Sequence, residues 1–115
     1  MKPGQVELNE FEIAILAELA NDLPEIAQLI GKMFVLSREF TGVGSYTNFN
    51  CTESNAKLGD KSISLNALIS MPNIPEGMGA VLFCEAGKPK VLETYTFGNE
   101  LWNGEYEGFS IEKNT

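Results

Sequence analysis

Arg38 is the only arginine in the chain. Glu93 lies in the middle of the strand-like run Val91-Leu92-Glu93-Thr94-Tyr95-Thr96-Phe97, on the alternating face shared with Val91, Tyr95 and Phe97. A carboxylate on an apolar strand face needs a partner or a shifted pKa. Arg38, one helical turn after Phe34 at the edge of an apolar arc, is the natural partner, with Tyr46 or Tyr95 beside it. The expected Arg38–Glu93 pair would span a junction between helix and sheet. Three uses stay open: a structural ion pair, two separately solvated charges, or a binding or catalytic pair.

Other chemistry is more restricted. The chain has no histidine, so a histidine-based triad or general base is excluded. Two distant cysteines, Cys51 and Cys84, do not make a zinc site, and neither a Gly-rich phosphate loop nor a dinucleotide fingerprint is present. In their apolar strand-like contexts the cysteines are expected to be reduced and structural. Glu39, Glu53, Glu85 and Glu93 could serve acid–base work, but their spacing selects no pair. No catalytic residue, metal or cofactor is assigned.

A second cluster is Asn99-Glu-Leu-Trp-Asn-Gly-Glu-Tyr-Glu-Gly-Phe109, where acidic and aromatic residues alternate on a glycine-rich loop. Trp and Tyr often anchor protein interfaces, and Trp102 could equally close the open end of the core.

These residues need elements to position them. Asn9 and Glu12 have the spacing of a capping box, and Ile13, Ile15, Leu16, Leu19, Ala20 and Leu23 fill one arc, predicting helix 1 over about residues 10–21. Asp22-Leu23-Pro24-Glu25 repeats the cap with proline in the first turn. Ile26, Leu29, Ile30, Met33, Phe34, Leu36 and Phe40 then predict helix 2 over about 23–40, with Ala27, Gly31 and Val35 as a second seam against helix 1. Thr41-Gly42-Val43-Gly44 reads as its C-terminal stop.

Beyond that stop the period changes to two. Tyr46–Cys51, Ser62–Met71, Ala80–Cys84, Val91–Phe97 and Phe109–Ile111 read as strands, joined by a polar loop at 52–60, a turn-rich stretch at 71–79 and a hairpin loop at 85–90. The expectation is one α+β domain over residues 1–115: an N-terminal helical pair on one face of a four- to five-stranded, mainly antiparallel sheet over about 45–111.

Net charge is −8, and residues 3–31 hold Glu7, Glu10, Glu12, Glu18, Asp22 and Glu25 with no basic residue. Such a surface disfavours nucleic acid and anionic lipid, and suits either solubility or a basic partner protein. No apolar run approaches the ~20 residues of a membrane helix, and no signal core follows the N-terminus, so a cytoplasmic location is expected.

Arg38-Glu39-Phe40-Thr41-Gly42-Val43-Gly44 with Tyr46-Thr47-Asn48-Phe49, and later Leu92-Glu93-Thr94-Tyr95-Thr96-Phe97-Gly98, resemble a family of small uncharacterised bacterial proteins. Its members look like products of mobile or accessory genes, such as integron cassettes and toxin-immunity neighbourhoods. The resemblance covers helix 2 onward. It implies Arg38, Glu39, Thr41, Gly42, Gly44 and Glu93 as site residues and no catalytic ones.

The leading expectation is a non-enzymatic acidic binding protein, of immunity type, holding a basic partner protein through its acidic surface and the Trp102 loop. The alternatives are a small-molecule binder or minor hydrolase with a pocket floored by Arg38, Glu93, Tyr46 and Tyr95, and a homodimer joined by a sheet edge or helix seam.

Overall fold

The computed structural model describes residues 6–113. Among the described residues, one α-helix and one antiparallel sheet carry the fold. Helix α1 runs over Glu10–Asp22 and opens on the expected capping box: the Asn9 side chain accepts from the Glu12 amide, and the Glu12 carboxylate accepts from the Asn9 amide. Its buried stripe is Phe11, Glu12, Ile15, Leu16 and Leu19. Ile13, expected inward, is 44% exposed, and Phe11 is buried in its place.

The second expected helix does not form. Residues 23–40 divide into two single 3₁₀ turns, Pro24–Ile26 and Ile30–Lys32, and strand β1 over Met33–Phe40. β1 pairs antiparallel with β2, Gly44–Cys51, and the register shifts by one residue between Val35 and Ser37. The extra residue, Leu36, is a β-bulge. It puts Met33, Val35, Arg38 and Phe40 on the core side, and Met33 and Phe40 stand seven residues apart, two helical turns. A bulged strand thus imitates a helical arc.

The glycine turn misleads in the same way. Gly42 has φ +91°, a conformation that serves a helix C-cap and a hairpin turn alike. Here it turns β1 into β2, with the Thr41 amide donating to the Gly44 carbonyl.

The remaining strands are β3 Lys61–Ser64, β4 Ala67–Met71, β5 Ile74–Glu85, β6 Lys88–Thr96 and β7 Ser110–Lys113. The seven lie in the order β1-β2-β6-β5-β4-β7, with β3 pairing β5 beyond β4's reach, and every pairing is antiparallel. The sheet exceeds the expected four or five strands because β1 replaces a helix and the long 62–71 run divides. The expected loop at 71–79 is mostly strand: a two-residue turn at Pro72–Asn73 leads straight into β5.

α1 covers one face of the sheet. Ile15, Leu16 and Leu19 share a single core with Val35, Phe49, Ile69, Met78, Leu82 and Leu92. The extents, 37 × 36 × 21 Å, suit one helix layer on one sheet layer, with the other sheet face open. Cys51 and Cys84 are free and buried, and burial pushes both thiols up, which keeps them protonated. Among the described residues no helix is long and apolar enough to cross a membrane.

Candidate functional site

The antiparallel register decides which candidates can meet. Arg38 pairs with Thr47, and Thr47 with Leu92, in a row on the helix-covered face. Glu39 pairs with Tyr46, and Tyr46 with Glu93, in the next row, whose side chains stand on the opposite face. Arg38 and Glu93 are therefore separated by the sheet, and the expected pair does not exist. No pocket can be floored by Arg38 together with Glu93, Tyr46 and Tyr95.

Arg38 instead meets Glu12 of α1. Its Nε donates to Oε2 and its Nη2 to Oε1, each at 2.8 Å, a two-pronged charged contact. Glu12 is 4% exposed and also accepts from the Thr47 hydroxyl at 3.1 Å and the Asn9 amide at 2.8 Å. One buried carboxylate thus ties the helix start to β1 and β2. Contact with Glu12 raises the Arg38 pKa, chiefly by the hydrogen bond and against the opposing effect of burial. A raised guanidinium pKa means that Arg38's contribution holds below the unfolded value and is lost only in extreme alkali. The hollow beside the pair holds about 20 Å³, room for a single water. This cluster ties helix to sheet, and the capping spacing of Asn9 and Glu12 was its only trace in the sequence.

Thr41, Gly42 and Gly44 serve the hairpin turn. The Gly42 carbonyl accepts from the Trp102 amide, and the neighbouring Val43 carbonyl accepts from the Thr96 amide. Gly44 passes so close to β6 that a Cβ there would strike the Thr94 carbonyl oxygen. Under the turn, the buried Ser45 and Thr94 hydroxyls bond each other at 2.6 Å. The glycine motif is thereby accounted for by backbone packing.

Trp102 is 6% exposed and packs on Phe11 and Phe40, with ring centroids 5.8 and 5.9 Å away. Its indole N–H donates to the Glu105 carbonyl at 2.8 Å. Its ring closes the core, and Trp102 also lines the open groove beside Leu101. The adjacent Leu101 is 84% exposed, beside an open groove of about 420 Å³ bordered by Gly42, Asn73 and Glu105.

The open sheet face gathers the other candidates. Tyr46, Phe83 and Phe97 are 37%, 39% and 50% exposed, and Val81, Val91, Glu93 and Tyr95 are half-buried among them. The Tyr95 and Phe97 rings meet edge to face, centroids 5.5 Å apart. Both lie over Gly79 of β5, where a Cβ would come within 2.8 Å of each ring. The missing side chain lets the rings lie down on the sheet. The Tyr46 hydroxyl donates to Glu93 Oε2 at 3.0 Å. Among the described residues the ion pairs are Lys32–Glu53 and Arg38–Glu12, so Glu39 and Glu93 have no internal counter-ion.

The hydrogen bond to Glu93 and, secondarily, its charge raise the Tyr46 pKa above the ordinary phenol value of 10.0. A raised folded-state pKa stabilises below the unfolded value and is lost as pH rises through the folded one. Ultraviolet titration should show Tyr46 ionising late, and Glu93→Gln should bring it back toward the ordinary value. An unchanged Tyr46 titration in that variant would contradict the contact.

Sequence reasoning assigned Glu39, Tyr46, Glu93 and Tyr95, which this face brings together. It gave no role to Phe83, and named Phe97 only as a strand residue. Period-two alternation in β6 was the available signal for Phe97. Nothing marked Phe83 inside an unbroken apolar run. Among the described residues no group of three or more potential metal ligands occurs. No family model, curated protein or solved structure matches this chain.

Proposed function

We propose that this chain is a non-catalytic binding protein that docks a basic partner protein on its open sheet face. The observation that carries the reading is the group of aromatic side chains on the uncovered face, Tyr46, Phe83, Tyr95 and Phe97, standing beside the uncompensated carboxylates Glu39 and Glu93. Exposed apolar surface bordered by polar groups is characteristic of protein interaction sites. Rigid aromatics supply contact area at low entropy cost, and carboxylates steer a basic partner. The net charge of −8 adds a long-range attraction of the same sign. An immunity-type protein that neutralises a basic toxin is the concrete form of this role. The Trp102 ring, expected to contribute, is replaced as anchor by Tyr95 and Phe97.

The test is affinity capture of the tagged chain from host extract at low and then moderate salt, beside a Tyr95→Ser/Phe97→Ser variant. One stoichiometric basic protein should be retained at low salt, lost as salt rises and absent from the variant. The same protein on both baits, or a capture indifferent to salt, would exclude the open face as the docking surface.

A further inference from the structure

Resting on that reading of the open face, we infer that the Glu39–Tyr46–Glu93 row is a seat for an arginine side chain of the partner protein. The three residues are cross-strand neighbours on β1, β2 and β6. Adjacent strands lie ~4.8 Å apart, so the two carboxylate-bearing backbones stand ~10 Å apart with the Tyr46 ring between them. A planar guanidinium laid on that ring lies within reach of acceptors on both sides.

The details favour this ligand over others. The Tyr46 hydroxyl already donates to Glu93 Oε2, which fixes the carboxylate, and Oε1 accepts no bond from another described residue. A carboxylate has about four lone-pair sites, so this one can accept a two-pronged arginine without losing Tyr46. The same protein shows that geometry on its other face, where Arg38 grips Glu12. A tyrosine face attracts a cation through its ring electrons, and arginine stacks there better than lysine because its cation is flat and weakly hydrated. Tyr46 holds its proton more tightly than an ordinary phenol, so the ring stays neutral and the hydroxyl stays a donor. Tyr95, two residues beyond Glu93 on the same strand face, and Phe97 form an apolar wall for the residues flanking the arginine.

A second copy of this chain is the less suitable occupant. It would press together two faces that each carry Glu39 and Glu93, on copies that each carry a net charge of −8.

The experiment is an amide and side-chain NMR titration of the intact chain with blocked Gly-Arg-Gly, Gly-Lys-Gly and Gly-citrulline-Gly peptides. The arginine peptide should shift Glu39, Tyr46, Glu93 and Tyr95 at millimolar concentration. The lysine peptide should bind about threefold more weakly or worse, and the uncharged citrulline peptide should not bind. Glu93→Gln, which can still accept from Tyr46, should weaken the arginine peptide about tenfold, as expected for loss of a charged hydrogen-bond partner. Equal shifts from arginine and citrulline, shifts elsewhere, or unchanged affinity in Glu93→Gln would overturn the seat. So would a concentration-dependent dimer that Phe97→Ser abolishes, since it would give the face to a second copy. A partner captured equally by the native chain and by Glu93→Gln, but lost from the Tyr95→Ser/Phe97→Ser variant, would end the arginine seat and leave the docking face standing.

Discussion

Replacing Trp102 with alanine should lower stability by about 3–5 kcal/mol, the range for losing a buried aromatic ring. The indole fills the end of the core beside the first turn of α1. It packs on Phe11 from α1 and Phe40 from β1, and its N–H holds the Glu105 carbonyl. Its backbone amide also bonds the Gly42 carbonyl, so the indole sits where the 97–109 segment meets the first hairpin. In a domain of this size the loss corresponds to a fall in melting temperature of roughly 12–20 °C. Urea unfolding followed by circular dichroism reads it directly. Trp102→Phe should recover most of the loss, because it restores ring volume and forfeits one hydrogen bond. A Trp102→Ala variant within ~1 kcal/mol of the native chain would show that the ring does not close the core.

Arg38→Met should cost about 3 kcal/mol, near the lower end for breaking a buried ion pair, because Arg38 itself is partly exposed. The methionine keeps the apolar stem and removes the fork that grips Glu12. A carboxylate only 4% exposed is then left with the Asn9 amide, its own helix N-terminus and the Thr47 hydroxyl. Removing its charge as well relieves that penalty, so Glu12→Gln/Arg38→Met should be more stable than Arg38→Met alone. The coupling in a double-mutant cycle should reach at least about 1 kcal/mol. Additive effects would mean that the two charges do not depend on each other. Binding at the open face should survive Arg38→Met, because the sheet lies between Arg38 and the Glu39–Tyr46–Glu93 row.

Arg38, Gly42 and Gly44 are fastened to α1, Trp102 and β6 by hydrogen bonds and close packing, and the Thr41 amide closes the turn on the Gly44 carbonyl. They shape the hairpin whose other face presents Tyr46 and Glu39.

Local sequence determined a good deal. Asn9 and Glu12 announced where α1 begins, because a cap is a contact between residues three apart. Alternation in β2, β4 and β6, and the apolar run inside β5, announced strands, because the side-chain period of a strand is two. Composition alone excluded histidine chemistry and set the charge of −8. Tertiary structure decided the rest. Residues 33–40 are a strand because β2 offers them a hydrogen-bonding partner, while a bulge at Leu36 gives their apolar positions a helical spacing. Which carboxylate Arg38 meets depends on register between strands and on where α1 lies, and neither is encoded in the spacing around Arg38. The open aromatic face exists because α1, the one α-helix among the described residues, covers one side of the sheet and no second layer covers the other.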